Sequence, residues 1–228
     1  MVNGLFLSSH FCLMEGRMMK KITIKSLIIY LSGLVILCVG TVLNTKTNLG
    51  VAAISGVSYV LSKTTSLTLG TATFLIYCIF IIMQWLINKK VDLLTVLQLP
   101  VSLLFGRLTD FVNTRVLVFE ANNLVSGFIM LAFAIVLSAL GVTLMVSQNL
   151  VPNAPDGAVQ AIANKLGWTF GKAKVVFDLA CISVSVVIAL VMSGHIIGIG
   201  IGSLLSMLLI GNCCNVFKKV LGKELALV

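Results

Sequence analysis

The chain has 228 residues, 59% of them hydrophobic and 10% charged, with a formal net charge of +9. A soluble domain carries about 25% charged residues, so the composition excludes a water-soluble monomer and indicates an all-α, multi-span membrane protein whose first partner is the lipid bilayer. Continuous apolar runs exclude a β-barrel. The basic residues flank those runs without forming a basic-aromatic surface, which argues against nucleic acid as a partner.

In chain order, residues 1–25 read as a cytoplasmic N-terminal segment. Within it, residues 1–17 read as an upstream extension of the reading frame, because Met18 or Met19 before Lys20-Lys21 suits a bacterial membrane-protein start. Six stretches, 26–44, 69–88, 91–112, 124–146, 172–193 and 196–217, can each cross about 30 Å of hydrocarbon at 1.5 Å per residue. Two shorter apolar pieces, 55–64 and 156–166, remain. A ten-residue helix covers only about 15 Å, half a bilayer. Residues 218–228 form a basic tail.

Lysine placement sets the expected orientation. With both termini in the cytoplasm, Lys20, Lys21, Lys25, Lys89, Lys90, Lys165, Lys218, Lys219 and Lys223 all lie inside. Lys46, Lys63 and Arg115 are left outside. The expected location is a bacterial inner membrane.

The two halves resemble each other. A shift of 101 residues places Gly40 on Gly141, Asn48-Leu49 on Asn149-Leu150, Gly56 on Gly157, Thr68 on Thr169 and Gly70 on Gly171. Further on, Gly106 and Asp110 match Gly211 and Asn215 once the offset grows by four residues. Residues 26–112 and 124–217 are thus read as two three-span repeats, each with an extra short helix. An odd number of spans inverts the second copy, a pattern common among transporters.

Candidate binding residues cluster at the short helices. Ser55 and Asp156 are each read as an N-cap followed by a glycine, Gly56 or Gly157. If the helices are re-entrant, their N-termini face a substrate, with Asn48, Asn149 and Asn153 lining the polar backbone. If they lie flat in the interfaces, they only cap loops. Asp178 is the acid inside a confident span, where a charge needs a cavity or a partner. It either pairs with Lys174 at i−4 or serves as a proton or cation site. Arg107 and Asp110, at i and i+3, are read as an interfacial salt bridge or a gate.

The six cysteines show no metal-ligand spacing, and no nucleophile elbow, zinc-protease motif or Walker loop is present. No metal, cofactor or enzymatic activity is expected. Leu49-Gly50, Pro155-Asp156-Gly157, Gly171, Asp178, Gly106-x-x-x-Asp110 and the Gly200–Gly211 stretch resemble the YczE/YyaS/YitT group of bacterial integral membrane proteins. That resemblance implies a multi-span inner-membrane protein and no particular chemistry. Ile54-Ser55 replaces the Pro-Asp of the second copy. The expected function is a small secondary transporter or permease for a small polar solute. The alternative is a non-transporting accessory or assembly protein acting through helix contacts. A homodimer is compatible with either.

Overall fold

The computed structural model describes residues 23–90 and 92–225; the expectation about residues 1–17 and the positions of Lys20 and Lys21 lie outside them. The described residues form eight α-helices: α1 (Ile24–Thr45), α2 (Ala53–Thr64), α3 (Leu69–Asn88), α4 (Leu93–Phe111), continued by a π-helical turn (Val112–Val116), α5 (Leu124–Ser147), α6 (Ala154–Leu166), α7 (Phe170–Ser193) and α8 (Ile201–Leu225). Six are long and apolar enough to cross a membrane. The two that are not, α2 and α6, are the short pieces between the first and second long helices of each half.

Local chemistry starts and stops these helices. Thr68 and Thr169 each accept a hydrogen bond from an amide three residues on, at Thr71 (3.2 Å) and Lys172 (3.4 Å). These bonds satisfy donors that a helix start otherwise leaves open. Asn123 and Ser126 form a reciprocal cap at the start of α5. Lys89 (φ 52°) and Gly167 (φ 62°) end α3 and α6 in the left-handed conformation.

The centre of the bundle is the crossing of α1 on α5. A Cβ built on Gly40 would lie 2.6 Å from the Ser138 nitrogen and 3.0 Å from the Ala134 oxygen. One on Gly141 would lie 2.5 Å from the Leu37 nitrogen and 2.7 Å from the Gly33 oxygen. The backbones therefore touch where small residues permit it, the usual route to tight helix packing in lipid. Each contact becomes the other when 101 is added to one side and subtracted from the other.

The short helices are exchanged between halves. α2 packs on α7, and α6 packs on α3. The Gly56 Cα faces the Ser185 hydroxyl, and the Gly157 Cα faces the Gln84 amide. These contacts, too, are equivalent under the 101-residue shift.

The last long helix differs from expectation. It starts at Ile201, not residue 196. The preceding residues pair with the 49–51 segment. Val51 N–H donates to Gly198 O (2.8 Å), and Gly202 N–H donates to Leu49 O (2.8 Å). The backbones can approach that closely because Gly200 and Gly202 carry no side chain where Leu49 and Gly50 press against them. The pairing gives an acceptor to the Gly202 N–H, which a helix start otherwise leaves open, and a donor to the Gly198 carbonyl.

Candidate functional site

A cavity of about 440 Å³ lies between the halves, within the size range of small-molecule sites. Its lining comes from all the long helices except α4, and from the first turns of both short helices: Ala52 to Ser55 on one side, Asn153, Pro155 and Asp156 on the other. The N-termini of α2 and α6 thus end on one space. A helix start presents unpaired N–H groups and partial positive charge.

The two starts differ chemically. α2 begins after Ala52 with no side-chain cap. Its entry is held from α1 instead: Ala52 N–H donates to Asn44 Oδ1 (2.8 Å), and Asn44 Nδ2 donates to Ser206 Oγ on α8 (2.9 Å). α6 is capped by Asn153, whose Oδ1 accepts from Ala154 N–H (3.1 Å). Ser55 and Asp156 are therefore not the N-caps, as their sequence context suggests; both stand in the first turn, three residues after the capping position. Pro155 accounts for the shift in α6. Proline lacks an N–H and fits the first turn of a helix, where that donor would be unpaired.

Four charged side chains line the cavity: Asp156, Lys174, Asp178 and Lys218. Lys174 Nζ lies 2.6 Å from Asp178 Oδ1, with the lysine side chain 30% exposed and the aspartate 7%. Of the two readings of Asp178, the ion pair forms. No hydrogen bond or ion pair holds the Asp156 carboxylate among the described residues.

The remaining sequence candidates are distributed unevenly. Asn149 (φ 51°) lines a small cleft that also reaches Asn153 and Asp156. Its counterpart Asn48 (φ 56°) is exposed and donates to Ala121 O (3.2 Å), away from the cavity. Both asparagines turn the chain after the first long helix of their half, because this residue tolerates positive φ better than most. Gly56 and Gly157 face the neighbouring helices.

The salt bridge expected between Arg107 and Asp110 does not form. Arg107 is exposed on α4. Asp110 instead binds the N-terminus of α3: its Oδ1 accepts from Gly70 N–H (2.7 Å) and its Oδ2 from the Thr68 hydroxyl (2.7 Å). A carboxylate prefers two fixed donors at a helix start to one mobile guanidinium at an aqueous surface.

Several lining residues escaped the sequence reading. Asn44, Tyr77, Thr143, Ser206 and Lys218 all border the cavity. The available signal was an amide in the last turn of an apolar span at Asn44, and hydroxyls on one face of the last span. Lys218 reads as tail from sequence but lies within the long α8.

Six membrane-length helices, five of them bordering a largely apolar cavity that carries a few polar and charged side chains, define a multi-pass helical membrane protein. The chain belongs to the family of unknown function DUF6198, whose model matches residues 24–219. No curated protein and no solved structure matches it.

Proposed function

We propose that this protein is a small secondary transporter or permease that moves a small polar solute through the cavity between its halves. The observation that carries this reading is the convergence of two short-helix N-termini, Ala53–Ser55 and Ala154–Asp156, on one space of about 440 Å³. Half-helices ending at a shared cavity are how transporters offer polar backbone to a solute within a bilayer. The equivalence of Gly40–Ser138 with Leu37–Gly141, and of Gly56–Ser185 with Gln84–Gly157, supports two repeats of inverted topology. The likeness to the YczE/YyaS/YitT group belongs to the same proposal.

Lysine distribution supports an inner-membrane protein with both termini in the cytoplasm. The α3 start and Asp110 then lie at the outer end. The α7 start, Gly211 and Lys218 lie at the inner end. With no catalytic constellation in its motifs, the protein is proposed to bind and move its solute unchanged.

The rival reading, an accessory protein working through helix contacts, needs no wet cavity. Solute profiling of a deletion strain, followed by flux assays in proteoliposomes, separates the two. The transporter reading expects at least one solute whose flux is lost when the cavity is filled by Ser55→Trp. Flux that is indifferent to cavity filling, or none for any solute whose cellular level changes in the deletion strain, would sink it.

A further inference from the structure

The two ends of the bundle are in different states. At one end α3 and α4 pack closely, and no residue of α4 reaches the cavity. A Cβ on Gly106 would lie 2.7 Å from the Gly70 oxygen and 3.2 Å from Phe74 Cβ, and one on Gly70 would run into the Gly106 oxygen. Asp110, one turn after Gly106, clasps the Gly70 amide and the Thr68 hydroxyl. At the other end the equivalent residues stand apart. A Cβ on Gly171 or on Gly211 would meet nothing within 4 Å. α7 and α8 make almost no contact, α8 packing on α5 instead. Gly171, Gly211 and Asn215 line the cavity, and among the described residues no hydrogen bond joins Asn215 to Thr169 or Gly171.

We propose that Asp110 and Asn215 are the two latches of an alternating gate. Asp110 holds α4 on the N-terminus of α3 and shuts one end. Asn215 closes the other by seating α8 on the N-terminus of α7, with Gly171 against Gly211. This inference rests on the transporter reading and adds which residues shut each end and which end is open at rest.

Three independent features carry it. The closed end shows the complete arrangement: a capping threonine, a glycine pair and an acceptor side chain. The open end holds the same parts, Thr169, Gly171, Gly211 and Asn215, at equivalent positions but unassembled. Glycine inside α8 weakens that helix with no packing gain in this state, whereas a closed state like the α3–α4 end would admit no larger residue. The acceptors also differ in strength. A carboxylate at a helix N-terminus binds the partial positive charge and its amides more tightly than a neutral amide oxygen does. The stronger latch is the one found shut.

The test uses a single cysteine at position 55, in the cavity lining, with the native cysteines replaced. A membrane-impermeant maleimide is applied to each face of oriented membranes. Position 55 is expected to label from the α7–α8 end only. Asp110→Ala should open the other end, raising labelling from that face about tenfold, the difference between a charge-assisted and a lost hydrogen bond. Asn215→Asp should strengthen the second latch and slow labelling at the α7–α8 end. Adding Gly211→Leu should restore it, because the wedge prevents closure. Where Asp110→Ala fails to reach the membrane, the Asn215→Asp pair decides alone, since Gly211 has open space around it. Identical labelling in all variants overturns the gate. If labelling is invariant while solute flux is demonstrated, the gate falls and the transporter reading stands. If the latches respond while no solute flux is found, Asp110 and Asn215 do hold the two ends shut, but they gate no transport and the transporter reading falls.

Discussion

Lys174 reaches forward along one turn of α7 to place its Nζ 2.6 Å from Asp178 Oδ1, on the wall of the central cavity. A lysine four residues before an acid is the less favourable order on an isolated helix. Here low-polarity surroundings supply the incentive: each charge alone would lack a counter-ion at depth. The lysine keeps partial access to the cavity.

Asp178→Asn should therefore cost less than breaking a sealed ion pair. We expect a loss of about 1–2 kcal/mol, between the values for buried and exposed pairs. Lys174→Met should lose a similar amount or more, since it strands the more buried partner. Thermal midpoints of the single variants and the double variant in detergent check this. Additive losses would show that the two side chains do not act as a pair.

Gly157 and Gly56 should respond unequally to alanine. A Cβ at 157 would lie 2.9 Å from both Gln84 Cδ and Gln98 Nε2, whereas one at 56 finds only the Ser185 hydroxyl, at 3.3 Å. Gly157→Ala should destabilise by about 1–3 kcal/mol through overpacking. Gly56→Ala should cost less than Gly157→Ala, because a single hydroxyl has to give way and alanine favours the helix by up to about 1 kcal/mol over glycine. Equal effects on thermal stability would contradict the described packing.

The glutamines beneath Gly157 form a closed polar unit. Gln84 Nε2 donates to Gln98 Oε1 (2.8 Å), Gln98 Nε2 donates to Gln84 Oε1 (3.0 Å), and Gln84 Nε2 also donates to Ala154 O at the start of α6 (3.0 Å). Both are buried. Gln98→Leu should cost about 1–3 kcal/mol by leaving the buried Gln84 Oε1 without its donor. Gln84→Leu/Gln98→Leu together should lose less than the sum. A double-variant cycle with no coupling would refute this.

The proposed orientation makes a separate prediction. Lys90 and Glu120 are both exposed, at turns on opposite ends of the bundle. Cysteine at position 90 should label only from the cytoplasmic face, and cysteine at 120 only from outside. Reversed labelling would invert the protein and place the open mouth of the cavity outside.

Much of the fold was legible in the sequence because lipid imposes simple rules. A membrane span needs about 20 apolar residues in an unbroken run. The lengths of such runs therefore locate α1, α3, α5 and α7 to within two residues, and leave α2 and α6 as pieces too short to cross. The spacing of Gly40, Gly56 and Gly70 against Gly141, Gly157 and Gly171 pointed to equivalent places, and at the first two pairs the contacts are equivalent as well. Asp156 and Ser55 could be singled out because polar residues beside short helices in so apolar a chain need a reason. Tertiary structure alone decided where those residues point. Asp110 forgoes Arg107 for the amide of Gly70 because a distant segment brings a helix start within 2.7 Å. Asn48 and Asn149 share a backbone conformation, yet Asn149 lines a cleft with the short-helix start of its own half while Asn48 donates to Ala121 O. Periodicity and composition report how each segment meets its surroundings on average. How closely α3 and α4 join depends on contacts between residues up to 42 positions apart, such as Thr68 with Asp110, and no local pattern encodes their distance.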